Sequence, residues 1–180
     1  MTQVQDLEMR LVDTFTAIHD NRMAGLPVVN RALSVRAIGF RRHADFWFGV
    51  MLTPWFMNLM ALPADDGVVE PMKVGSKHSF RFPAGTFEFI AAHEDDIGPY
   101  LMCSLFSPVF EFEDQESAVL TAEAALAQVI DTPDKIENQD DPEADMQMIW
   151  RGELPHAQPA DVSRRQFLRG REKSQPEPSA

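Results

Sequence analysis

Apolar residues recur at helical spacing near both ends of the first 130 positions and alternate with polar ones in between. Val4, Leu7, Leu11, Phe15 and Ile18 step by three and four, which predicts an amphipathic helix over about 4–24. Gly25 and Pro27 follow as stop signals. Asp114 is a good N-cap for a second helix to about Ile130, whose stripe is Ala118, Ala122, Ala125, Leu126 and Val129. Thr132-Pro133 ends it.

Between the helices the period drops to two. Residues 35–41 and Phe46–Leu52 predict a hairpin turned at 41–45. Phe80 and Phe82 alternate with Ser79 and Arg81, then Pro83-Ala84-Gly85 turns the chain into a strand at Thr86–Ile90. A polar turn, His93–Gly98, leads into Tyr100–Phe106. This short apolar run is bounded by Gly98-Pro99 and Ser107-Pro108. Breakers at both ends and apolar residues on both faces predict a strand at the centre of the sheet, covered on both sides. The segment after Leu52 is expected to be a short helix to about Ala61, with Thr53 as cap and Pro54 in the first turn. Trp55, Phe56, Met57, Leu59, Met60 and Leu62 crowd it, and one or two helical turns cannot bury all of them on one face. The fold expected is α+β: an antiparallel β-meander of about five strands packed against N- and C-terminal helices.

Composition divides the chain further. From Asp131 to Asp145 there are seven acidic residues against Lys135, too polar for a packed core. Met146–Trp150 interrupts this stretch, and Ser163–Lys173 is locally basic. The organisation expected is a domain over 1–132 and an acidic, mostly disordered tail over 133–180. The net charge of -12 argues against nucleic acid or an anionic membrane as partner. No apolar run reaches the length of a membrane span, and the N-terminus lacks the features of a secretory signal. One cysteine gives neither an internal disulfide nor a CxxC site, and a cytoplasmic location is expected.

Candidate chemistry is sparse. Cys103, His78 and His93 are residue types that hold metals or act as nucleophiles, but there is no HExxH and no paired cysteine. Cys103 lies in the doubly apolar strand, where a thiol behaves as a small hydrophobe. The readings follow: no catalytic residue, no metal and no cofactor. The sharpest local motif is SRRQFLRG at 163–170, with the form of a twin-arginine export signal. The apolar stretch that such a signal needs does not follow it, so it cannot itself direct export.

TPWFMN at 53–58, FPAGTFEF at 82–89, GPYLMCSLFSP at 98–108 and SRRQFLRG at 163–170, in this order, resemble the [NiFe]-hydrogenase assembly chaperones of the HybE/HupJ type. The match covers most of residues 5–130 and the C-terminal motif. The resemblance implies a non-enzymatic protein that holds hydrogenase subunit precursors in the cytoplasm before export. These include the small subunit with its twin-arginine signal and the large subunit. Some related chains carry a rubredoxin module with CxxC pairs; this chain has none, so iron binding is not carried over. The acidic insert and Met146–Trp150 match nothing in the family pattern. Client binding is expected at Pro54, Trp55, Phe56, Met57 and Asn58. Arg164, Arg165, Phe167 and Leu168 form a tail motif that either fills the same groove or recruits another partner. Two rivals remain open: a Cys103-dependent metal-handling factor and a structural subunit of the hydrogenase.

Overall fold

The computed structural model describes residues 2–43, 46–64 and 72–130. Helix α1, Gln3–Ile18, starts at a reciprocal cap: the Thr2 hydroxyl accepts from the Gln5 backbone and the Gln5 side chain accepts from the Thr2 backbone. One π-helical turn, His19–Met23, extends it, and Gly25 follows at φ +82°, as a glycine past a helix end should. Helix α2 is Gln115–Ile130, capped by Asp114 Oδ1 accepting from Ser117 N at 2.7 Å.

Six strands lie between them: β1 Arg36–His43, β2 Phe46–Leu52, β3 Met57–Pro63, β4 Lys77–Phe82, β5 Gly85–Glu94 and β6 Gly98–Phe106. All pairings are antiparallel, in the order β1-β2-β3-β6-β5-β4. Two three-stranded meanders are therefore joined through β3 and β6. The sixth strand is β3, where the sequence reading expected a helix. Thr53 explains the difference. Its hydroxyl accepts from the backbone of Trp55 and Phe56, and its own N–H donates to Phe56 O at 2.8 Å. The cap closes a tight turn, and Leu52 pairs directly with Met57. A segment that is apolar all round suits a strand covered on both faces, and every position from Met57 to Leu62 is buried.

The two faces have separate cores. On one, α2 packs over β1 and β2 above Phe48, Val50, Leu59, Phe89, Leu101 and Cys103. On the other, α1 places Leu7, Leu11 and Phe15 on Phe40, Trp47, Met51, Met60 and Tyr100. Strand β2 is buried at all seven positions. Strand β6 is interior but not the most covered strand. Leu101, Cys103 and Leu105 are buried in the α2-side core, whereas Met102 and Ser104 on the α1 side are only half-buried. The expectation of full cover on both faces is corrected here: the α1 side of the sheet runs out of cover beyond Tyr100.

Both helices approach closely at one bulge. The register between β1 and β2 shifts between Ile38 and Arg41. Gly39 sits there at φ +64°, and a Cβ on it would lie 2.6 Å from Leu126 of α2. On the α1 side, Phe40 folds over Gly49, where an added Cβ would lie 2.6 Å from its ring and 2.9 Å from its Cα. Asn30 ties the loops below the sheet: its Nδ2 donates to Val109 O and Phe112 O, and its backbone N–H to Pro54 O.

Gly49→Ala should lower unfolding stability in urea by about 1–3 kcal/mol, because Phe40 and its backbone must move. A second prediction concerns alkali. Burial, and to a smaller degree the Glu94 carboxylate, push the Tyr100 phenol up to about 12, with Arg22 opposing. The unfolded phenol releases its proton near 10, so the stability is complete below that pH and falls as the pH climbs towards 12. Tyr100→Phe should remove this part of the alkaline loss, seen as urea midpoints of variant and parent that diverge over that window.

Candidate functional site

The segment expected to bind clients forms the β2–β3 turn and the start of β3. Pro54 and Trp55 are buried in the turn. The Trp55 indole stacks on His19 with centroids 6.1 Å apart and meets Phe56 edge-on at 5.5 Å. Phe56 meets Phe15 at 5.7 Å, and Phe15 meets Tyr100 at 6.3 Å. An aromatic chain thus fastens the C-terminal end of α1 to the turn and to β6. Phe56 is half-buried at its margin. Met57 points into the α2-side core and contributes no surface to the α1 side.

Asn58 points to the α1 side, as Met60 does two residues on. It is only 4% exposed. Its Nδ2 donates weakly to Met102 Sδ at 3.7 Å, and its Oδ1 has no partner among the described residues. Burying an amide oxygen without a hydrogen bond is costly, so this atom needs an explanation.

Around Asn58 the sheet opens. Ser104 lies opposite it on β6, and Met102 pairs with Ile90 on β5, which pairs with Lys77 on β4. Met102, Ser104 and Ile90 are all half-buried. Glu88 and Glu94 share this side of β5 with Ile90. Lys77 Nζ lies 3.1 Å from Glu88, and the Arg22 guanidinium holds both oxygens of Glu94 at 3.2 Å. The result is a shallow face with apolar groups in the middle, a buried unsatisfied acceptor at one side and two carboxylates on the rim. It can hold an extended or helical segment carrying large apolar side chains and cationic or hydrogen-donating groups. No sequence signal marked Ile90, Met102 and Ser104 as surface; only the length of α1 against the width of the sheet reveals them.

The residues of the metal or nucleophile reading are not brought together. Cys103 is buried in the α2-side core. His78 lies two strands away on β4, about 10 Å at ordinary strand spacing, with the strand of Phe89 between. Burial holds His78 below the ordinary imidazole value, and its Nε2 is 2.9 Å from Ser76 Oγ. His93 is exposed at the end of β5. Among the described residues, no three His, Cys, Asp or Glu side chains gather as metal ligands would. The same residues include no helix long and apolar enough to cross a membrane. The tail motif, Arg164, Arg165, Phe167 and Leu168, lies outside the described residues, as do Met146–Trp150 and the rest of 131–180.

Comparison with known proteins agrees with this architecture. The family model for "[NiFe]-hydrogenase assembly, chaperone, HybE" matches residues 6–170. The hydrogenase expression/formation protein HupJ of Bradyrhizobium diazoefficiens is 41% identical over 160 residues, covering 89% of this chain and 85% of its own. Protein HoxT of Cupriavidus necator is 43% identical over 140 residues, 72% of this chain and 78% of its own. The solution structure of HybE from Escherichia coli shares the fold, with a TM-score of 0.58 and 22% identity over 75% of this chain and 86% of that one. The chain therefore belongs to the HybE family of [NiFe]-hydrogenase assembly chaperones.

Proposed function

We propose that this protein is a non-catalytic chaperone that uses the open α1-side face to hold a [NiFe]-hydrogenase subunit precursor in the cytoplasm until the subunit is ready for export. The client is the small-subunit precursor with its twin-arginine signal, the large subunit, or both in turn. Membership of an assembly-chaperone family supports the class of function. The observation that carries the location is the unequal cover of the sheet: a 16-residue helix closes one half of the α1 side and leaves Met102, Ser104 and Ile90 half-open on the other.

Each residue of the turn then has a role. Phe56 and Asn58 border the face and meet the client. Pro54 and Trp55 fix the turn and the end of α1 beside it. Met57 anchors β3 from the opposite core. The client supplies apolar side chains for Met102 and Ile90, a soft surface that repacks easily because the thioether is flexible. Its arginines share the carboxylates of Glu88 and Glu94 with Lys77 and Arg22, whose partly exposed ion pairs exchange at little cost.

Co-purification from cells making the hydrogenase, with and without the small-subunit signal peptide, identifies the client. Ile90→Glu should weaken binding of the precursor at least tenfold while moving the melting temperature by only a few degrees. Unchanged affinity for both precursors would show that clients bind elsewhere.

A further inference from the structure

Asn58 carries an observation that packing does not explain. A buried strand position pointing at Met51, Met60 and Met102 would ordinarily take an apolar residue. Asparagine here gains one weak sulfur contact and leaves Oδ1 unsatisfied among the described residues. Such a group is retained where something else satisfies it. The atom needed is a donor, and it must arrive from the open side, where the half-buried Met102 side chain is the flexible cover.

Ser104 stands opposite Asn58 on β6. The β5–β6 ladder ends at Ile90↔Met102; continuing its register by two residues sets Glu88 on the far side of Ser104 from Asn58, on the same face, so the three follow one another across three strands. At ordinary strand spacing the row spans about 10 Å. It offers an amide oxygen, a hydroxyl and a carboxylate in line, with Met102 and Ile90 forming the apolar row beside it. Two adjacent guanidinium groups followed by two large apolar side chains fit this arrangement.

The chain contains such a segment. Arg164-Arg165 is followed by Phe167-Leu168, and 33 residues separate Ile130 from Arg164. That length spans at most about 110 Å, while six strands are roughly 25–30 Å across, so reach is no obstacle. Met146–Trp150 also follows Ile130, but its neighbour Arg151 is a single cation followed by Gly152 and Glu153, not an adjacent pair for Asn58 and Glu88. We propose that Arg164, Arg165, Phe167 and Leu168 dock on the row Asn58–Ser104–Glu88 of the same chain, with an arginine donating to Asn58 Oδ1, and so occupy the face until a client displaces them. The proposal rests on that face being the client site, as above. A segment tethered to its own site competes at an effective concentration that a free ligand must exceed.

The test uses the full-length chain and an added peptide of sequence SRRQFLRG. The Arg164→Ser/Arg165→Ser variant should bind the peptide at least fivefold more tightly than the parent, whose own segment competes. On that variant background, Asn58→Leu should weaken peptide binding at least tenfold while leaving the urea midpoint unchanged or raised, because an unsatisfied buried amide is removed. Glu88→Gln, at a partly exposed position, should weaken it severalfold and gives a second reading if Asn58→Leu folds poorly. Equal peptide affinity in parent and Arg variant, absence of peptide binding to both, or peptide affinity indifferent to Asn58→Leu and Glu88→Gln would each overturn the proposal. Precursor binding is measured separately. If it is lost in Ile90→Glu while the peptide experiment fails, the client site stands and the self-docking does not.

Discussion

The β3–β6 ladder is the interaction on which the molecule depends. Each meander is held by short-range hairpins, but a three-stranded piece has two edges and little core of its own. Pairing Asn58–Ala61 with Leu101–Ser104 joins the two into one sheet. It also brings Phe48 of the first meander against Phe82 and Phe89 of the second. The α2-side core then runs under both. Thr53 has a large share in this outcome: by closing the turn in four residues it sends β3 back along β2 in the register that meets β6.

From the ladder follows the unequal treatment of the two faces. The α2 side is filled by Phe80, Phe87 and Phe89 as well as by the helix, so it is buried across the second meander even where α2 does not reach. The α1 side has no such aromatic layer on β4 and β5; it has Lys77, Glu88, Ile90 and Glu94. A 16-residue helix is about 24 Å long, and with its π-helical extension it covers the first meander and ends at Tyr100 and Glu94. What remains open is a consequence of helix length and of which strands carry aromatics on which side.

Much of this was legible in the sequence. The two helices, the first hairpin, the second meander and the strand at 98–106 all follow from periodicity and breakers. The short helix expected after Thr53, to about Ala61, is a turn and a strand because capping chemistry does not distinguish a helix start from a tight turn: a Thr hydroxyl accepts from the N–H groups two and three residues on in both. The better clue was present in the excess of apolar residues, which no amphipathic helix could bury but a doubly covered strand could. The cover of β6 could not be read at all, since a half-open and a closed face carry similar residues. Nor could Asn30, whose partners at Val109 and Phe112 lie some eighty positions away. Of the candidate client residues, Phe56 and Asn58 reach the open side, while Met57 is on the opposite face by the alternation that a helical reading concealed.

The cations of this acidic chain bear on how such a face can work. An open sheet half with half-buried Met and Ile invites association, and an edge strand invites backbone pairing. Both edges carry charge: Arg36, Arg41 and Arg42 on β1, with a bulge between Ile38 and Arg41, and Lys77 and Arg81 on β4. Long cationic side chains and a bulge oppose strand addition at either end. The open side-chain surface of the α1 face is not guarded in this way, since Ile90, Met102 and Ser104 are half-buried there. Capture by edge pairing draws its affinity from main-chain hydrogen bonds, which any extended segment can make. An acceptor row beside a soft apolar row differs from an edge in kind: its hydrogen bonds and contacts come from side chains, so they are set by residue identity and not by the backbone.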